Sequence, residues 1–462
     1  MFKFIKITVI SFAIFFSSWF VLFKLGINTL PLQSEDVLPS IFLPAAVINE
    51  GTLYLDSYYD LMLSKYPHPD DKDFTRGLTP FYIKKIEGAD GTHYASAFPL
   101  ITPLLSLVVY FIPLKLGLPV TFSNMTLLGH ISSALIISVS GGVLYLLLKK
   151  HFSLKDRKAL LLTGVYFFGT INLSLLSQGL WQHGTVELFS ILALWFLFER
   201  KWFETGLMLG LTILSRPTAV ILVPFLGLLI INYLARSKID FKGGLLKIVN
   251  FVLGFVPSYL FFTWYTNKYY IDLSNNGYSG QLLNSWLSPF PEGFLGMWLS
   301  PSKGILVYSP VLLLSLVGLY LVFRKGNWRR EENLKYIVFG AIVVSHTLVL
   351  SIWKHWYGGY GYGYRMASDV IPFMILLLVP YMKSVIYKKA KLLFWVLFTI
   401  SIMVQIQGLI FFDSIWHAAY DRGFRNTSWL WSIRDSETAF NIRRILVKLG
   451  LLERACPQCL PL

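Results

Sequence analysis

Residues 123 to 148 read SNMTLLGHISSALIISVSGGVLYLLL, residues 149 to 158 read KKHFSLKDRK, and residues 159 to 177 read ALLLTGVYFFGTINLSLLS. A helix needs roughly 20 apolar residues, at about 1.5 Å each, to cross a hydrocarbon layer. Both flanking runs meet that need, and the short connection between them is dense in Lys and Arg. Apolar run, basic turn and apolar run together read as a membrane hairpin whose connection faces the cytoplasm.

The same pattern recurs along the chain. Further spans are expected near 5 to 23, 182 to 198, 247 to 265, 304 to 323, 336 to 353, 366 to 382 and 391 to 412. Residues 205 to 234 begin and end beside basic connections, which predicts a broken pair turning near Ser215, Arg216 and Pro217. Residues 97 to 114 carry Pro99, Pro103 and Pro113, each lacking a backbone donor, and suit a re-entrant or interfacial element better than a clean span. The expected architecture is therefore an all-α polytopic membrane protein of about ten to twelve transmembrane helices.

Composition agrees. The 462 residues are 55% hydrophobic, 16% aromatic and 14% charged, a balance that excludes a soluble enzyme or a secreted domain. The net charge of +16 does not mark a nucleic-acid binder, because 22 of the 41 Lys and Arg fall in six short segments. These are Lys3 and Lys6, 149 to 158, Arg200 and Lys201, 236 to 247, 324 to 335, and 383 to 391. If 97 to 114 does not cross, all six share one side with the N-terminus. Cys456 and Cys459 are the only cysteines, so no disulfide framework holds the fold, and a zinc site would need two more ligands.

One hydrophilic stretch interrupts the apolar domain of 1 to 412, and a second follows it. The outer loop, 26 to 96, holds ten acidic and five basic residues, with a short interfacial helix expected at 38 to 49 and a polar turn at Pro67 to Asp73. The tail, 413 to 462, contains a basic amphipathic piece around Phe440 to Leu452. Its basic residues favour the cytoplasm, whereas the count of spans favours the outside.

Polar groups near hydrocarbon are costly, so a cluster of them on one face points to function. Glu35 and Asp36 follow the first span closely, and a carboxylate there can take a proton from a hydroxyl or hold a cation; a solvated acidic pair is the plain alternative. His93, Tyr94 and Pro99 stand at the mouth of the Pro-rich element. Trp181, Gln182 and His183 break two apolar runs, as an interfacial aromatic belt also would. Arg216, at the hairpin turn, needs a partner or a phosphate at membrane depth. Lys303 ends SPSK, before a span, and either snorkels or meets an anion. Trp356 to Arg365, WYGGYGYGYR, combines glycines that let backbone approach a ligand, tyrosines with apolar faces and hydroxyls, and a guanidinium suited to phosphate. Asp369, one helical turn on, is expected to pair with Arg365.

These motifs resemble the GT-C superfamily of membrane glycosyltransferases, which includes the protein mannosyltransferases and the aminoarabinose transferases of lipid A. The resemblance rests on Glu35 and Asp36, on LPSIFLPAAVINEGTLYLD from Leu38, and on HYASAFPLITPLL from His93. It continues in LTILSRPTAVILVP around Arg216, SPSKGILVYSP from Ser300 and WYGGYGYGYR, covering about 30 to 380. The acidic pair continues into Val-Leu-Pro, and Ala97-Phe98-Pro99 stands where relatives often have Tyr-Pro-Pro.

The resemblance implies inverting transfer of a sugar from a polyprenyl-phosphate donor to a lipid, glycan or protein hydroxyl. The site would lie on the outer face of a bacterial or archaeal cytoplasmic membrane. Asp36, with Glu35 beside it, would supply the base; Arg365, Lys303 and Arg216 would bind the donor phosphate; His93, Tyr94, His183, Trp356 and Tyr362 would contact substrate. No cofactor is required, although Glu35 and Asp36 could hold a divalent cation. A transporter or flippase of an anionic or lipid-linked substrate would call for internal repeats, and none is visible. A glycan ligase or polymerase would call for a larger late loop than 267 to 303.

Overall fold

The computed structural model describes residues 2–27, 32–88, 90–237, 239–270, 288–413, 415–420 and 427–453. Cys456, Cys459 and most of the loop expected at 267 to 303 lie outside them. The chain is an all-α polytopic integral membrane protein. Among the described residues, seven helices are long and apolar enough to cross a membrane, and four shorter apolar helices accompany them.

The span Arg365–Lys383 is 89% buried and forms the centre, whereas α1 (Phe2–Lys24) is 11% buried and lies at the periphery. Exposed Ile5, Val9, Phe20 and Val21 on α1 would be costly in water and are suited to lipid. Peripheral helices need close backbone contact to associate without a hydrophobic drive between them. Here α8 (Trp202–Ser215) and α10 (Phe241–Leu253) meet through glycine: a Cβ on Gly206 would lie 2.0 Å from the Phe251 carbonyl oxygen.

All six basic segments collect at one end of the bundle. Lys3 and Lys149 pair with Asp156, and Lys150 reaches Glu199 at 2.6 Å. Arg236 reaches Glu331 at 3.3 Å, and the Lys335 ammonium lies 4.7 Å from the Phe152 ring centroid. Lys158 donates to the Met382 carbonyl and sits over Tyr387, which brings in the last of the six.

The Pro-rich segment forms α4 (Ile101–Lys115), which begins and ends at the opposite end. Near its start Thr102 bonds Thr185, in the first turn of α7 (Gln182–Phe198), at 2.7 Å. Further along, Tyr110 donates to the Met125 carbonyl near the start of α5 (Phe122–Lys150), and Lys115 donates to the Ile48 carbonyl. Both ends of α4 therefore contact helix ends remote from the basic segments, and α4 does not cross the bundle. It lies beside α2 (Leu38–Glu50), the short helix expected at 38 to 49.

The broken pair also forms. After α8, Arg216 is extended, a 3-10 turn covers Pro217–Ile221, and α9 (Leu222–Arg236) returns. One element was not expected: an antiparallel hairpin, β1 (Ile83–Gly88) and β2 (Gly91–Ser96), with Ile86 opposite His93. Its strands close at the Gly88–Gly91 pair, where Gly91 has a φ of +131° that favours glycine.

The tail packs at the end remote from the basic segments. Ser302 donates to the Trp429 carbonyl at 2.9 Å, and Gln407 to the Thr438 carbonyl at 2.9 Å. The amphipathic helix Glu437–Lys448 is capped by Ser436, and its Arg444 pairs with Asp413 at 2.5 Å. Its basic residues do not draw it to the basic end, because Trp416, Trp429 and Leu430 are buried against the aromatic loop.

Candidate functional site

Asp36 sits on a 3-10 turn, Glu35–Val37, fixed when Ser34 accepts from the Asp36 amide. Its carboxylate forms an ion pair with Arg365, 329 residues later. The loop that delivers Arg365 follows from its glycines. Gly358, Gly359 and Gly363 have φ of +79°, +57° and +61°, left-handed values that strain residues with a Cβ. The loop can thus curl so that Arg365 also donates to its own Gly358 carbonyl at 2.5 Å. The guanidinium is further held over Trp181, 4.7 Å from the ring centroid.

Asp36 and Arg365 line a cavity of about 650 Å³. Its polar wall adds Trp181, Gln182, His183 and Arg216. Its apolar wall comes from Phe98 and Leu100, from Ile213 and Leu214 on α8, and from Phe255, Phe261, Phe262 and Tyr265 in and before α11 (Val256–Tyr269).

Arg216 is buried, and its partner differs from the one the sequence suggested. Asp369 does not pair with Arg365. It takes an ion pair from Arg216, lies 2.8 Å from His183 Nδ1, and has His346 Nε2 at 3.3 Å. The expected pairing assumed an α-helical turn, but Arg365–Val370 is a 3-10 helix. At three residues per turn, positions four apart no longer share a face, so Asp369 points away from Arg365.

Other expected site residues lie elsewhere. Lys303 does not line the cavity. Its ammonium donates to the Gly361 carbonyl and, at 3.3 Å, to that of Gly359, between the rings of Trp416 and Trp429. Tyr362 is buried against Tyr308 and donates to the Val404 carbonyl, and Trp356 is buried against Gly296. His93 lies between Asp56, at 2.7 Å, and Asp90, at 3.2 Å, and stacks on Tyr54; Tyr94 stacks on Tyr59. These residues shape the walls and brace the first long connection. The cavity also includes Tyr265, Tyr270 and Trp353, which sequence reading missed because they lie in aromatic-rich stretches with no distinguishing pattern.

Among the described residues no group of three or more His, Cys, Asp or Glu could hold a metal ion. Glu35 lies off the cavity wall, half-buried near Tyr66 and Tyr82, and burial together with the Asp36 charge pushes its carboxyl up to about 7. An unfolded glutamate gives up its proton near its ordinary value of 4.5, before the folded one does, so stability falls as pH rises from there to about 7. Glu35→Gln should therefore raise the thermal midpoint relative to the parent at pH 8 and gain little at pH 4. Tryptophan fluorescence during heating in detergent measures this, and an equal gain at both values would contradict it.

Compared with family models and with curated proteins, the chain matches none, so functional assignment rests on the chemistry of this cavity.

Proposed function

We propose that the protein is an inverting GT-C-type glycosyltransferase. It would move a sugar from a polyprenyl-phosphate donor to a hydroxyl of a lipid, glycan or protein acceptor. One observation supports this above all: an acid from the start of the chain and two guanidiniums from its later connections meet in one cavity that also has an apolar wall. A lipid-linked phosphate needs all three features. Its tail lies along Leu214, Phe255 and Phe262, and its phosphate meets Arg365 and Arg216.

In this scheme the acceptor oxygen attacks the anomeric carbon as its proton passes to the Asp36 carboxylate. The bond from that carbon to the phosphate oxygen breaks, its electrons stay with the phosphate, and the guanidiniums offset the charge that develops there. Arg365 thus exchanges part of its contact with Asp36 for the donor, freeing the carboxylate to act as base. Arg365 already supplies a positive charge beside Asp36, so the scheme does not require a divalent cation at Glu35 and Asp36.

The cavity end would face outward, across a bacterial or archaeal cytoplasmic membrane, because the basic segments lie at the other end. With Cys456 and Cys459 replaced by serine, Lys72→Cys should react with an impermeant thiol reagent on intact cells, and Lys155→Cys only after permeabilisation. The reverse pattern would invert the orientation. The reaction itself is tested by mass analysis of surface glycans in a deletion strain carrying the parent gene or none. Loss of a specific glycan, restored by the parent, is expected; an unchanged glycan profile would remove this reading.

A further inference from the structure

Arg216 and His183 come from different elements, yet both converge on the single carboxylate of Asp369, buried in the first turns of the central span. The Arg216 guanidinium pairs with one carboxylate oxygen and lies 3.3 Å from the Met366 carbonyl. His183 Nδ1 lies 2.8 Å from the other oxygen. A carboxylate kept charged by a guanidinium offers no proton, so the short contact to His183 requires the proton on Nδ1. Arg216 also lies 3.3 Å from that nitrogen, and a protonated Nδ1 cannot accept from it, so this approach is simple proximity. In the neutral ring Nε2 is then left with its lone pair. His183 lines the cavity, and its Nε2 has no hydrogen-bond partner among the described residues.

We infer that Asp369 is a positioning residue that presets Arg216 and His183 as a two-part reader: a cation for a phosphate oxygen and, beside it, an acceptor for a hydroxyl. The ligand chemistry this selects is a phosphate with a hydroxyl close by, as on a sugar joined to a lipid phosphate. The inference deepens the glycosyltransferase reading and rests on it for the identity of the ligand, but the state of the ring does not. His346, 3.3 Å from the carboxylate on the far side, closes the arrangement away from the cavity. A purely structural role, joining these elements through one buried ion pair, would fix the same tautomer but would leave phosphate binding unaffected when Asp369 is replaced.

The full chain, labelled with 15N-histidine and held in lipid nanodiscs, separates these possibilities. The His183 resonances are identified by their loss in His183→Gln. A protonated Nδ1 and a bare Nε2 are expected, and a proton on Nε2 instead would overturn the inference. Binding is then measured with undecaprenyl phosphate as the probe. Asp369→Asn should weaken it about tenfold, because the guanidinium loses the charge that aims it, whereas His183→Gln should leave it within about twofold, because the probe has no hydroxyl to read. A folded Asp369→Asn protein that binds the probe as the parent does would reduce Asp369 to a structural tie. If the parent showed the expected tautomer but did not bind the lipid phosphate, the donor assignment would fail while the histidine geometry stood.

Discussion

Asp36→Asn should lower turnover by about 10³-fold while leaving donor binding at least as tight as in the parent. The substitution keeps the size of the side chain and removes its charge. Without that charge the attacking hydroxyl loses its carboxylate base, since Asp36 is the only carboxylate among the described lining residues and His183 Nε2 is assigned to the donor's own hydroxyl. Binding should not suffer, since the Arg365 guanidinium loses its anionic partner and keeps the Gly358 carbonyl and the Trp181 ring. The unpaired cation then attracts a phosphate more strongly. The split between turnover and binding is diagnostic. A transporter that lined its path with Arg216 and Arg365 would keep most of its flux in this variant. A loss of donor binding equal to the loss of turnover would mean that Asp36 serves only to place Arg365.

Much of the bundle was legible because the membrane imposes a simple rule on sequence. Twenty apolar residues ended by lysines leave little choice of structure, as in the helix that ends at Lys149 and Lys150. The turn at Arg216 was legible for the same reason, since an arginine and a proline cannot continue an apolar span without a break. The partners of buried charges were not legible. Asp369 meets His183, 186 positions earlier, through a 3-10 helix whose pitch no local pattern announces. His93 and Tyr94 looked like substrate contacts because they precede the Pro-rich element. They instead fasten the hairpin, whose strands alternate too weakly to announce it. Glycines in WYGGYGYGYR suggested close approach to a ligand. In the structure they let the loop turn back on its own arginine and accept a lysine from below.

That lysine leads to the second large effect. Lys303→Met should destabilise the protein by about 3 kcal/mol and loosen the tail, rather than selectively weaken phosphate binding. The Lys303 ammonium is fully buried beneath the aromatic loop, where the carbonyls of Gly359 and Gly361 accept from it and Trp416 and Trp429 flank it. Methionine fills much of the same volume, so packing is roughly kept while the donors vanish. Two carbonyls would then lose the partner that holds the loop in its curled form, and unmet buried acceptors cost more than the bonds were worth. Burial pushes the Glu437 carboxyl up to about 8, with the Lys303 charge opposing that rise, so removing the charge drives it higher still. Limited proteolysis should cut between Trp416 and Lys448 sooner in the variant, and the thermal midpoint should fall. The arginine that faces Asp36 sits four residues beyond Gly361, so turnover would drop as a consequence of the loosened loop. If Lys303→Met kept its midpoint and its protease resistance yet lost affinity for undecaprenyl phosphate, the lysine would belong to the donor site after all.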